Sequence, residues 1–402
     1  MLYKGNKNMK QLLILTTNKF PEGDAGSVRQ AVFGKLFLEM GYCVTIFGMG
    51  SSTQGQWRDY AGIRYCSFRR EGKGTINKVL NYLFINRKLN HHLEIKKNKP
   101  DIILVIDLPI WCMYYVSRYE KRTGCMLLHD SVEWYSPEQF KNGKYSPSYI
   151  AKDLLNERLI RPPYRVIAIS RFLQEHFLSQ GLRVVRIPAI LDVKNMPYWE
   201  FFEKDYIEIV YAGIPTNKDF LNVFLEGCAC LSNEELSRTK IKLIGIERES
   251  LEKVCGVSKS IIEKIGNNIQ IVGRMERAAV IKELETADFT FLVRNPNFRY
   301  AKAGFPTKVV ESLAVGIPVI CNLSSDLHEF LIDGANCIII EEHDALGCMT
   351  AIRKALGMTR HQLRLMHQAA RDSAERFFDF RCHIDSVKEL IEKKPSKGIS
   401  SI

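Results

Sequence analysis

Several features common in chains of this length are missing from these 402 residues. No apolar stretch approaches the roughly 20 residues that a bilayer-spanning helix needs. The basic start, Met1 to Gln11, runs straight into a strand-like segment with no signal-peptide cleavage pattern, so a cytoplasmic location is expected. The 11 cysteines stand singly apart from Cys228-Ala-Cys230, and none has Cys-x-x-Cys spacing. They read as small buried hydrophobes in a reducing compartment rather than as zinc ligands or a redox pair. The 9 histidines show no paired metal spacing beyond the adjacent His91-His92. No bound metal and no cofactor is therefore expected. Internal repeats and low-complexity tracts are also lacking.

What is present is the composition of a two-domain globular protein, with 46% hydrophobic and 25% charged residues. The net charge of +12 favours anionic partners. Its densest expression is Ile76–Lys99, where Val79, Leu80, Tyr82, Leu83 and Phe84 interleave with Lys78, Arg87, Lys88, Lys96, Lys97 and Lys99. Such a segment suits peripheral contact with an anionic membrane. No nucleic-acid motif accompanies the charge.

Strand and helix patterns alternate in two rounds, which predicts an α/β fold with parallel sheets. The first round has strands at Leu12–Thr17, Cys43–Phe47, Ile63–Phe68, Asp101–Ile106, Met126–His129 and Val166–Ser170, with a helix from about Val28 to Met40. The second has strands at Ile207–Tyr211, Lys242–Gly245, Ile269–Val272, Phe289–Val293, Val319–Cys321 and Cys337–Ile340. A C-terminal amphipathic helix over 371–393 carries Phe377, Phe378 and Phe380.

Residues 303–320 are the most informative. Pro306 introduces a short helix, Gly316 closes it, and Pro318 hinders its resumption. At about 100° per residue, Pro306, Val309, Val310, Leu313 and Ala314 share the arc that packs, while Thr307, Lys308, Glu311 and Ser312 share the other. The N–H groups at such a helix start favour a phosphate, and Gly304 would allow close backbone approach. Lys308 adds positive charge where the helix dipole prefers negative, which makes sense beside an anion. Glu311, one turn on, is placed to accept from the vicinal hydroxyls of a ribose. An ordinary amphipathic helix with a solvated Lys308/Glu311 pair remains the alternative.

Phe305-Pro306-Thr307-Lys308 and the run from Glu311 to Val319 resemble the donor-binding signature of retaining glycosyltransferases of family 4, in particular capsule and exopolysaccharide enzymes. The resemblance implies a GT-B fold, two Rossmann-like domains facing an interdomain cleft. Residues 1–190 would bind acceptor, completed by 371–393, and 206–370 would bind a nucleotide-sugar donor. The family's first glutamate falls on Ala303, the arginine common after the first-strand glycine is Ile214, and an expected asparagine is Ala189. Arg294 or Lys302 could replace the missing glutamate. The Asp-x-Asp motif of metal-dependent sugar transferases occurs nowhere.

Carried onto this chain, the resemblance gives donor contacts to Gly26, Gly213, Lys218, Gly273, Arg274, Arg294, Gly304, Phe305, Pro306, Thr307, Lys308 and Glu311. Lys218 and Lys308 would neutralise the departing diphosphate, His129 would face the donor sugar, and Arg29, Asp130 and Arg171 would lie on the acceptor side. Ser170 is expected to cap the helix that Arg171 begins. The implied function is metal-independent, retaining transfer of a hexosyl group from a UDP- or GDP-sugar to a saccharide or lipid-linked acceptor, in surface polysaccharide assembly at the inner membrane face. A nucleotide-sugar epimerase and a non-catalytic GT-B partner subunit are the alternatives.

Overall fold

The computed structural model describes residues 9–392 except 22, 24, 49–52, 54–55, 68–88, 90–98, 201 and 215–217. The basic segment at 76–99, and with it the expected membrane contact, lies outside the described residues apart from Leu89 and Lys99. Among the described residues no helix is long and apolar enough to cross a membrane. The chain divides into two compact units. One comprises residues up to Val132, Ile150–Ile187 and the chain from Phe380; the other comprises Glu133–Tyr149 and Pro188–Asp379.

The first unit holds eight strands: β1 (Gln11–Thr16), β2 (Cys43–Gly48), β3 (Arg58–Tyr60), β4 (Ile63–Ser67), β5 (Ile102–Ile106), β6 (Met126–Ser131), β7 (Arg165–Ala168) and β8 (Arg183–Arg186). They lie in the order β3-β4-β2-β1-β5-β6-β7-β8, parallel except for the β3–β4 hairpin. Central β5 reads Ile-Ile-Leu-Val-Ile and is buried throughout, as a parallel strand covered on both faces must be. Exposed β3 is short, which limits pairing at the sheet edge.

The second unit is built on β9 (Ile207–Ala212), β10 (Thr239–Ile244), β11 (Ile269–Val272), β12 (Phe289–Leu292), β13 (Val319–Cys321) and β14 (Cys337–Ile339). All pair in parallel, in the order β11-β10-β9-β12-β13-β14. Phe224 and Phe291 stack in its core with ring centroids 3.5 Å apart. After β9 the chain adds β10 and β11 on one side, then returns to place β12 on the other. The order thus reverses between β9 and β12, and the crevice beyond their carboxyl ends is where open α/β sheets bind ligands.

The expected single helix over 371–393 is two, Arg360–Phe377 and Ile384–Glu392. The break is fixed by tertiary bonds: Phe378 O accepts from Leu191 N at 2.8 Å, and the buried Asp379 carboxylate accepts from Lys194 N at 3.2 Å. Only the chain from Phe380 belongs to the first unit.

Among the described residues each unit buries one histidine. His367 stacks on Trp199 with ring centroids 3.7 Å apart, and its Nδ1 lies 2.7 Å from Gly316 O. His129 lies within β6 against Phe177. Burial pushes both down to about 3. An unfolded histidine titrates near 6.5, so below that pH the unfolded chain binds protons that the folded chain refuses. The stability tied to their neutrality is complete above about pH 6.5 and drains away towards pH 3, at up to about 1.4 kcal/mol per pH unit for each. Urea unfolding midpoints should therefore fall steadily between pH 6.5 and 4.5, and a His129→Leu/His367→Phe double variant should show a flatter slope. Equal slopes in the two proteins would refute this assignment.

Candidate functional site

The helix read from the sequence runs Thr307–Val315, with Pro306 as N-cap at φ −75° and Gly316 closing it at φ 88°. Glycine is required at 316 for two reasons. The backbone is left-handed, and a Cβ would sit 2.8 Å from the Tyr198 ring. Val309, Val310, Leu313 and Ala314 pack inward as expected. Ser312 departs from the expected arc: it is buried and donates to Ile317 O at 2.7 Å while accepting from Thr290 Oγ1 at 2.6 Å. It ties the helix to β12 from inside the fold. Among the described residues no side chain caps the N-terminus of this helix, whose first amides have no intrahelical acceptor.

Beside that N-terminus, three donors converge on one carboxylate. Lys308 Nζ lies 2.5 Å from Asp219 Oδ2 and 2.5 Å from the Tyr211 hydroxyl. Tyr211 donates to Asp219 Oδ2 at 2.9 Å, and Arg294 Nε donates to Oδ1 at 2.8 Å. The ammonium also stands 4.1 Å from the centre of the Tyr211 ring. Arg294 is held by a reciprocal pair: its N–H donates to Asn322 Oδ1 at 2.9 Å, and its carbonyl accepts from Asn322 Nδ2 at 2.7 Å. Gly213 follows β9 at φ 152°, and a Cβ there would come within 2.4 Å of Lys308 Cε. Glycine at 213 is what makes room for the lysine.

The electrostatics follow from this geometry. Burial opposes ionisation of Asp219, but Arg294 and Lys308 outweigh it and hold the carboxyl well below the usual range. Burial pushes the Lys308 ammonium down against the pull of Asp219. Burial and the neighbouring carboxylate push the Tyr211 phenol far up, so it stays a neutral donor. Two cations against one carboxylate leave one positive charge in excess, at the carboxyl ends of β9 and β12.

Gly213, Arg294 and Lys308, together with Pro306 and Thr307 at the helix start, are thus gathered in one place. Lys218, expected beside Lys308, pairs with Glu133 at 2.7 Å. Glu311 accepts from Arg277 at 2.6 Å on an open face. Arg274 is exposed, and a Cβ at Gly273 would come within 2.6 Å of Glu247 Oε1. Gly304 and Phe305 have roles in the loop itself. Gly304 has φ −82°, open to any residue, and closes the Arg299–Ala303 helix through its N–H. Phe305 is buried against Phe330 and Phe378, with centroids 5.7 and 5.9 Å away, so it anchors the loop and is not placed for a donor contact.

The first unit corrects further assignments. His129 lies inside β6 and is 2% exposed, so it does not face outward after the strand. Arg29 and Asp130 form a bidentate pair, with both contacts at 2.8 Å, and Arg29 reaches Ile187 O at 3.3 Å. Their charges neutralise one another in the interior, which removes them from an acceptor surface. Gly26 sits in the first turn of the Ala25–Glu39 helix, which starts before the expected Val28. Arg171 is exposed and begins its helix after Ser170, which accepts from Leu173 N at 3.4 Å. Sequence reasoning missed Asp219, Tyr211, Asn322, Arg277 and Glu133. Tyr211 and Asp219 bound the stretch around Gly213 and Lys218, Glu133 follows His129-Asp130 closely and Asn322 ends the run that begins at Arg294, but none of them had been given a role. Among the described residues no group of His, Cys, Asp or Glu could hold a metal ion.

Residues 207–357, which contain the Asp219 cluster, match the family model "Glycosyl transferases group 1". No curated protein matches the chain. Solved structures of similar fold include sucrose-phosphate synthase from Thermosynechococcus elongatus, at TM-score 0.72 and 12% identity over 95% of this chain and 98% of that one. Anabaena HepE in complex with UDP and glucose gives TM-score 0.65 and 15% identity over 96% and 100%. WaaG, a glycosyltransferase involved in lipopolysaccharide biosynthesis, gives 0.66 and 12% over 95% and 100%. The chain thus has the two-domain α/β fold of GT-B glycosyltransferases, and residues 207–357 of its second unit are similar to the group 1 glycosyl transferases.

Proposed function

We propose that the protein transfers a hexosyl group from a nucleotide diphosphate sugar to a saccharide or lipid-linked acceptor, with retention and without a metal. The observation that carries this reading is the excess positive charge of the Lys308–Asp219–Arg294 cluster next to the open start of the Thr307–Val315 helix. Amide hydrogens, an ammonium and a guanidinium in that arrangement suit a diphosphate. Glu311 takes the ribose hydroxyls when they displace Arg277 from it. As the C–O bond to the leaving diphosphate breaks, negative charge builds on the phosphate oxygen, and donors already fixed there lower the barrier without reorganising. The acceptor oxygen bonds to the anomeric carbon on the face that the diphosphate leaves, and the departing phosphate takes the acceptor proton. A UDP- or GDP-sugar as donor, a role in surface polysaccharide assembly and peripheral attachment at the inner face of the membrane belong to the same proposal.

The purified chain should consume a nucleotide sugar only when a saccharide acceptor is supplied, and nuclear magnetic resonance of the product should show the anomeric configuration of the donor. An inverted product would refute retention. Epimerised donor without acceptor would assign an epimerase, and no consumption with any donor would leave a binding subunit.

A further inference from the structure

We infer that Glu133, Lys218 and Tyr300 form the subsite that reads the sugar of the donor. This rests on the nucleotide-sugar reading above. Lys218 Nζ donates to Glu133 Oε1 at 2.7 Å and stands 5.6 Å from the Tyr135 ring centre and 5.9 Å from that of Tyr300. The two charged side chains keep about a quarter and a third of their surface open, 25% for Lys218 and 35% for Glu133. Tyr300 is 7% exposed, and its buried hydroxyl has no hydrogen-bond partner among the described residues. A buried phenol normally finds one. It lies near the Lys308–Asp219–Arg294 cluster, because Lys218, 5.9 Å from its ring centre, directly precedes Asp219 in the chain.

Glu133 is held there by the way its segment is pinned. Arg299 Nε donates to Tyr135 O at 3.0 Å, and Tyr300 N donates to Ser136 Oγ at 3.1 Å. The Arg299–Ala303 helix ends on buried Ala303 and carries no carboxylate, and the carboxylate beside Lys218 is that of Glu133. A pyranose presents vicinal hydroxyls that donate to a carboxylate, oxygens that accept from an ammonium or a phenol, and an apolar C–H face for an aromatic ring. Glu133, Lys218, Tyr300 and Tyr135 offer each of these complements. The sugar takes over the hydrogen bond that Lys218 now donates to Glu133, and as that pair parts the Tyr300 hydroxyl gains a partner.

The test is calorimetry of wild type, Glu133→Gln and Tyr300→Phe, using UDP, GDP, UDP-glucose, UDP-galactose, UDP-N-acetylglucosamine and GDP-mannose. Both variants should bind the free nucleotide diphosphate within twofold of wild type and lose at least tenfold in affinity for the matching nucleotide sugar. Tyr300→Phe should melt no lower than wild type, because its hydroxyl has no partner to lose. Equal weakening of nucleotide and nucleotide sugar, no weakening of either, or a lower melting point for Tyr300→Phe would overturn the subsite. Failure of wild type to bind any free nucleotide diphosphate would overturn the nucleotide-sugar reading first, and the subsite with it.

Discussion

Lys308→Ala should lower kcat by roughly 10²–10³, about 2.7–4 kcal/mol of transition-state stabilisation, the loss typical when one fixed donor is taken from a developing oxyanion. The ammonium it removes is oriented by Tyr211 and Asp219 at 2.5 Å each, so the wild-type group meets the leaving phosphate already positioned. Lys308→Arg should not restore the rate. A guanidinium is a broad planar fork, and the space beside Gly213 admits only the narrow lysine chain. Gly213→Ala should reproduce much of the defect from the other side, because its Cβ would fall 2.4 Å from Lys308 Cε on a backbone at φ 152°. Steady-state kinetics with the donor varied at saturating acceptor reads all three. Wild-type kcat in Lys308→Ala would remove the lysine from catalysis.

Asp219→Asn should be the most destabilising single change at the site, and should also reduce turnover more than tenfold. Asp219 is the anion on which Lys308, Arg294 and Tyr211 all close, and its side chain is only 3% exposed. Removing one partner of a buried ion pair typically costs about 3–5 kcal/mol, because the remaining charge stays desolvated. Lys308 and Arg294 keep 24% and 16% of their side-chain surface, and hydration of those open sides places the expected cost near the lower end, about 3 kcal/mol. For a domain of this size that corresponds to a melting point lower by roughly 6–12 °C. The pH dependence separates this cluster from the buried histidines. Because the Asp219 carboxyl is held well below its unfolded value, its contribution is complete above about pH 4 and lost only as pH falls further, through the folded value. Loss of stability between pH 6.5 and 4.5 thus belongs to His129 and His367, and Asp219→Asn should leave that slope unchanged. A melting point within 2 °C of wild type would show that the cluster does not hold the site together.

The sheets were largely readable because parallel strands announce themselves locally. β-Branched runs such as the buried Ile102–Ile106 and Val319–Cys321 and the half-buried Ile269–Val272 fall within a residue of where the pattern places them. The Thr307–Val315 helix was readable for the same reason, since proline and glycine mark its ends in the sequence itself. The partners of Lys308 were not. Tyr211 and Asp219 meet it, and Arg294 shares Asp219 with it, only because the strand order sets β9 beside β12, a fact that no local window contains. Glu133 is further removed, in a segment of the N-terminal half that belongs to the second unit. Where the sequence misled, periodicity could not distinguish a polar group facing a ligand from one satisfied inside the fold. Ser312, Arg29 and Asp130 all have buried protein partners that absorb their polarity. Phe305 belongs to an aromatic cluster whose other members, Phe330 and Phe378, lie far along the chain.

The most direct measurement is calorimetric titration of the purified chain with UDP, GDP and ADP, repeated on Lys308→Ala. The account predicts saturable one-to-one binding of at least one diphosphate by wild type, weakened at least tenfold in the variant. Equal affinity in the two proteins, or no saturable binding of any of the three, would contradict a diphosphate site at the start of the Thr307–Val315 helix.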